Sequence, residues 1–312
     1  MKKILVIGPN PAWQKVLLFD NFRPGKINRA RERIYFASGK AINFCRALHC
    51  HRQEQECRLF QFAGGESGDK VTAELDREKI PHTTVAIAGS TRICTTCCCG
   101  ASGAITELIE PAAAVGKENV AELLADFARH LPEAGLVVFC GTLPPGAENL
   151  LYVEAAKLTA KYRITLLIDS YMELETLLPL HPAPMLKINA DELRLFTGES
   201  DTVPALRKLF ARFPLRFAAI TDGAGDALLC DGRQLHRFHL PKLERIVNSI
   251  GCGDTANAVL SAELLAGAAP VDAFAEALAA ATANCLSVRC GEFEPADRAK
   301  FRGLIQIETQ IL

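Results

Sequence analysis

The residues best suited to chemistry lie in one short run, Val247-Asn248-Ser249-Ile250-Gly251-Cys252-Gly253-Asp254-Thr255-Ala256-Asn257-Ala258. Gly251 and Gly253 flank one small residue, and a carboxylate and a hydroxyl follow. Ala256 to Leu265 is rich in Ala and Leu and predicts a helix. Glycines just before a helix let backbone N–H groups converge, and the helix dipole favours an anion at that point. Asp254 would then stand beside a held anion. A carboxylate there suits a base that deprotonates a nucleophile attacking a phosphoryl group, while the N–H groups stabilise the charge that develops. The plain alternative is a helix start with two turn glycines and Asp254 or Thr255 as cap.

The surrounding elements bear on that choice. From Leu136 onward, short apolar runs alternate with helical patterns: strands at 136–140, 165–169, 185–188 and 217–221, and helices at 147–162, 191–197 and 203–210. Further strands are expected at 227–230 and 236–240, and helices at 254–267, 271–286 and 295–303. Earlier, 3–7 and 59–63 read as strands and 117–130 as an amphipathic helix. Such alternation predicts an α/β fold, a mostly parallel sheet with helices on both faces. Ligands of such sheets bind beyond the carboxyl ends of the strands. Polar clusters fall at five of those ends, including Gly141-Thr142, Asp169-Ser170, Lys187 to Glu192 and Thr221 to Gly225. Strand-only stretches at about 11–37 and 83–110 break the pattern and predict a small β lid, discontinuous in sequence, on a single domain spanning 1–312.

Composition narrows the partners. A formal net charge of −1 disfavours a nucleic-acid binder, which would carry a basic face. No run of about 18 apolar residues spans a membrane. Met1-Lys2-Lys3 leads into too short an apolar stretch for a signal peptide, so a cytoplasmic protein with reduced thiols is expected. The chain has 12 cysteines. Cys94 and Cys97 to Cys99 sit in a β-like segment without recognised ligand spacing, so Cys acts there as a small apolar residue.

Further motifs make the reading specific. Asn10-Pro11-Ala12, Gly25 with Asn28-Arg29, Gly39-Lys40 with Asn43, Arg92, Thr106-Glu107-Leu108 and Gly141-Thr142-Leu143-Pro144 come in order. Lys187-Ile188-Asn189-Ala190-Asp191-Glu192, Thr221-Asp222-Gly223-Ala224-Gly225 and the Gly251-Cys252-Gly253-Asp254 run follow. Along nearly its whole length the chain resembles the ribokinase-like (PfkB) carbohydrate kinases, above all the branch with 1-phosphofructokinase and tagatose-6-phosphate kinase. That resemblance implies a kinase using ATP and Mg²⁺ on a phosphorylated ketohexose. Asp254 would be the general base, with the N–H groups of Gly251, Cys252 and Gly253 as the anion hole. Asn189 and Glu192 would organise Mg²⁺ through water. Lys187 would lie near the nucleotide phosphates, Thr221, Gly223 and Gly225 would line the nucleotide, and Asn284 would border the adenine. Gly39, Lys40 and Asn43 would hold the acceptor, with Arg92 and Lys40 on its phosphate. A homodimer formed through the lid is also implied.

Taken singly, these residues have ordinary alternatives. Lys187 and Arg92 read as surface charges, Asn189-x-x-Glu192 as a capping box, and Asp169 as a strand-end acid. Three positions depart from the family pattern, all on the acceptor side: Gln14 replaces Asp, Ser38 and Ala41 replace glycines, and Cys94 replaces Asn. A carboxamide donates as well as accepts and is neutral, so the hydroxyl contacts of a carboxylate at position 14 change. A kinase for an unphosphorylated sugar or nucleoside, or a binding protein without turnover, therefore stays open as an alternative.

Overall fold

The computed structural model describes residues 2–312. In chain order the first elements are β1 (Lys3–Ile7), β2 (Ala12–Phe19), β3 (Glu32–Ser38), α1 (Lys40–His51), β4 (Cys57–Ala63) and α2 (Gly65–Arg77). Next come β5 (His82–Ala86), β6 (Ile93–Cys99), β7 (Ile105–Ile109), α3 (Lys117–His130), β8 (Ala134–Cys140), α4 (Leu151–Lys161) and β9 (Thr165–Asp169). A short α5 (Leu174–Leu177) leads to β10 (Met185–Asn189), α6 (Ala190–Thr197), α7 (Thr202–Arg212) and β11 (Phe217–Thr221). The chain ends with β12 (Ala227–Cys230), β13 (Gln234–His239), α8 (Cys252–Leu265), α9 (Pro270–Asn284), α10 (Pro295–Arg302) and β14 (Gln306–Ile311).

Ten strands form one sheet in the order β14-β13-β12-β11-β10-β9-β8-β1-β4-β5. The pairings from β5 to β11 are parallel, and β12, β13 and β14 add antiparallel. Successive strand side chains point to opposite faces. Leu5 and Ile7 accordingly pack with α3 to α7, whereas Ile4 and Val6 pack with α1, α2 and α8 to α10. Both faces are dry, so β1 and β8 read as unbroken apolar runs. The chain winds outward from β1 to β5, then returns to place β8 on the other side of β1. That reversal is the crevice where ligands of such sheets bind.

The strand at 82–86 differs from the expected lid boundaries. β5 pairs in parallel with β4 in the main sheet, and Val85 is buried in the core with Phe127. A separate four-stranded sheet of β3, β2, β6 and β7 contains only the segments 12–38 and 93–109. The terminal strand β14 was absent from the sequence expectation. Its pairing with β13 supplies the order that its mostly exposed side chains do not.

Candidate active site

Helix α8 starts at Gly251, whose φ of 82° is left-handed. A Cβ there would lie 2.7 Å from the Cβ of Cys290, so this turn needs glycine for conformation and for space. The helix buries residues all round its first turns, and its N-terminal N–H groups have no side-chain cap. Lys187, at the end of β10, is 4% exposed. Its ammonium would lie only 2.9 Å from a Cβ placed on Gly253. A buried cation thus stands against the start of α8, where the helix dipole already favours an anion.

Asp254 is 7% exposed. Its Oδ2 accepts a hydrogen bond of 2.8 Å from Asn43 Nδ2, which reaches across from α1. Burial pushes the carboxyl up to about 6, opposed by the charge of Lys40 and assisted by that of Asp169. Lys40 donates to Asp169 Oδ1 at 3.0 Å, and Asn257, one turn beyond Asp254 on α8, approaches Asp169 Oδ2 at 3.3 Å. Lys187 Nζ is 4.0 Å from the same carboxylate. The neighbouring charges of Asp169, Asp254 and Glu192 raise the Lys40 ammonium above its ordinary value, against the effect of burial, which lowers it. Two carboxylates and two ammonium groups are therefore gathered between α1, β9, β10 and α8.

The remaining expected residues fall into two groups. Thr221, Gly223 and Gly225 lie at the carboxyl end of β11, next to the end of β10. Asn189 caps α6: its Oδ1 accepts from the Glu192 N–H at 2.8 Å, and Glu192 Oε2 accepts from the Asn189 N–H at 2.9 Å. Both are solvent-accessible at the same sheet edge.

Three further expected residues make contacts within the protein. Asn284 is fully buried, and its Oδ1 accepts from Thr255 Oγ1 at 2.7 Å and from the Gly291 N–H at 2.8 Å. It braces the start of α8 from behind, because a buried amide first satisfies its neighbours. Gln14 is 4% exposed and spends its amide on Thr96 Oγ1 at 2.7 Å, inside the second sheet. Arg92 donates to the carbonyls of Asn10 at 3.0 Å and Pro11 at 3.4 Å, tying β6 to the turn after β1. Asp169 and Asn257 are the residues that sequence reasoning undervalued. Helical spacing of three from Asp254 is the one signal that could have singled out Asn257.

Behind the site, Arg46 of α1 is 5% exposed. It donates to the Ala37 carbonyl at 2.8 Å, the Cys290 carbonyl at 2.9 Å and the Glu78 carboxylate at 3.0 Å. Arg289 contacts Glu74 and Glu78 from the same loop.

The fold is ribokinase-like: a large, mostly parallel sheet with a small second sheet, and polar groups converging beyond its strand ends. The model of the pfkB family carbohydrate kinases matches residues 1–297, and the chain belongs to that family. It is a phosphotransferase acting on a sugar hydroxyl, and membership implies ATP as donor. The chain is 27% identical to the 1-phosphofructokinase of Borreliella burgdorferi over 291 residues, covering 91% of this chain and 92% of that protein. It is 23% identical to the tagatose-6-phosphate kinase of Staphylococcus epidermidis over 269 residues, 84% of this chain and 85% of that one. Phosphofructokinase-2 from Escherichia coli, solved in complex with potassium, superposes with a TM-score of 0.84 at 21% identity, covering 97% of this chain and 99% of that one. Among the described residues no helix is long and apolar enough to cross a membrane, and no group of three His, Cys, Asp or Glu side chains could hold a metal by itself.

Proposed function

We propose that this chain transfers the γ-phosphoryl group of ATP to a hydroxyl of a phosphorylated ketohexose of the fructose 1-phosphate or tagatose 6-phosphate type. The observation that carries this reading is the Asp254 carboxylate. It is buried, held by Asn43 from α1, and set in the first turn of α8, beside Lys187. With a pKa near 6 it is ionised at neutral pH yet basic enough to take a hydroxyl proton.

The residues divide the work. The N–H groups of Gly251, Cys252 and Gly253 hold the transferring phosphoryl, and Lys187 neutralises its developing charge. Thr221, Gly223 and Gly225 line the nucleotide. Asn189 and Glu192 fit Mg²⁺ held through water: each already bonds the α6 cap, which leaves one Glu192 oxygen and little else for direct ligation. When bound, Mg²⁺ neutralises phosphate charge. Gly39, Lys40 and Asn43 hold the acceptor, and Arg92 faces its phosphate with the donors not spent on Asn10 and Pro11. Gln14 keeps its carbonyl and one amide N–H for the acceptor. The second sheet acts as a lid, and it supports a homodimer through Tyr35, Ile93, Leu108 and Ile109, which are exposed on it.

The employment of Gln14 and Arg92 within the protein favours a second reading, an unphosphorylated sugar or nucleoside as acceptor. A coupled assay of ADP release across hexose phosphates, free sugars and nucleosides separates the two. Turnover confined to acceptors without phosphate overturns the first reading, and no ADP release with any acceptor overturns catalysis altogether. Light scattering that shows only monomer at micromolar protein counts against the dimer.

A further inference from the structure

The anion-hole residue Cys252 has a neighbour that phosphoryl transfer does not use. Its Sγ lies 3.1 Å from Sγ of Cys285, 33 positions later in the chain. Cys252 is the first residue of α8, and Cys285 caps the carboxyl end of α9. Both side chains are half-buried, and all the cysteines among the described residues are free thiols. The Cys285 carbonyl also accepts from the Val247 N–H at 2.8 Å, so the segment leading into the glycine turn hangs from the same residue.

We infer that Cys252 and Cys285 form a reversible redox pair whose closure into a disulfide distorts the turn at Gly251-Cys252-Gly253. The approach is already most of the way there. A disulfide bond is about 2.05 Å long, so closure asks the two sulfurs to move together by roughly 1 Å. The roles of the two thiols differ. Either sulfur can donate to the other, and their contact lowers the Cys285 thiol below its ordinary value and raises that of Cys252. Cys285 is thus the nucleophile, because the thiolate is the reacting form.

With a hydroperoxide as oxidant the step balances. The Cys285 thiolate attacks the O–O bond, forms an S–O bond and releases hydroxide, which takes a proton to become water. The Cys252 sulfur then attacks the Cys285 sulfur. The S–S bond forms, the S–O bond breaks, and the hydroxide leaving Cys285 takes the proton given up by Cys252. Two thiols lose two electrons and two protons, and hydrogen peroxide becomes two waters. A small dithiol reverses the step by exchange. Reversible disulfides of this kind are the form found where thiols are otherwise kept reduced.

The effect follows from position. The N–H groups on either side of Cys252 must meet the phosphoryl group, and a misplacement of about 1 Å can cost on the order of 10²-fold in rate. This consequence rests on the kinase reading, whereas the cross-link itself does not. The test is to oxidise the full chain with hydrogen peroxide, map disulfides by peptide mass spectrometry, and measure ADP release before and after dithiothreitol. The expected result is a Cys252–Cys285 cross-link, a fall in turnover of about 10²-fold, and recovery on reduction. Cys285→Ser should keep the reduced rate and lose the oxidative inhibition. Finding no cross-link between these two, or finding one only elsewhere, such as Cys45 with Cys57, overturns the pair. A full cross-link with unchanged turnover, or equal inhibition of Cys285→Ser, overturns its control of the site. If the reduced chain releases no ADP with any acceptor, the kinase reading fails, and the peptide map still decides the pair.

Discussion

Replacing Asp254 with Asn should remove catalysis and make the protein more stable. The amide keeps the shape of the side chain and can still accept from Asn43 Nδ2, which now stands 2.8 Å from the carboxylate. What disappears is the proton acceptor. A positioned general base contributes about 10²- to 10⁴-fold, so turnover should fall by that factor, roughly 3–5 kcal/mol in barrier. Affinity for ATP should change little, because on the proposed reading the carboxylate serves the acceptor. The stability change has the opposite sign. A carboxyl held at about 6 instead of its ordinary 3.8 is disfavoured as carboxylate by roughly 3 kcal/mol. That cost is fully present above the folded value and fades as pH falls towards the unfolded one. Asp254→Asn should therefore melt several degrees higher at pH 7.5, with a smaller gain at pH 4.5. Steady-state ADP release and thermal melts at the two pH values test both halves. Turnover within tenfold of the parent, or a lower melting temperature at pH 7.5, would refute the reasoning.

Other perturbations have equally definite outcomes. On the proposed reading Asp254 acts as the ionised base, so kcat/KM should fall about tenfold for each pH unit below about 6, as a pH–rate profile of the free enzyme would reveal. Gly251→Ala forces a side chain into a φ of 82° and to within 2.7 Å of Cys290, so a loss of about 1–3 kcal/mol in denaturant melts and a steep drop in turnover are expected. Asp169→Asn leaves Lys40 and Lys187 without their shared anion; urea titration should register a loss of about 3 kcal/mol.

The main sheet was legible because burial on both faces writes unbroken apolar runs, as at Ile4 to Ile7 and Leu136 to Cys140. Pairing is a different kind of information. His82 to Ala86 has a strand-like sequence, but its place beside β4 depends on contacts with α3 far along the chain. Gln306 to Ile311 carries almost no burial signal, and backbone pairing alone makes it a strand. At the site, the glycine turn and Asp254 were readable because helix starts have local signatures. Asp169 was not, since its meaning comes from two lysines at sequence distances of 129 and 18 residues. Asn284 illustrates the reverse: the family resemblance marked the residue, and only its neighbours reveal that its carboxamide oxygen is bonded to Thr255 and Gly291.

The guanidinium of Arg46 joins four stretches of chain: α1 itself, the end of β3, α2 and the loop after α9. These stretches come from opposite ends of the sequence. Releasing any one of them leaves part of a buried guanidinium unpaired, so neither terminal portion has a cheap local opening. Helix α1 and the glycine turn should therefore be lost in a single cooperative event. Amide exchange in α1 and in α8 should then report the same opening free energy, while the exposed loop at 22–31 exchanges long before either.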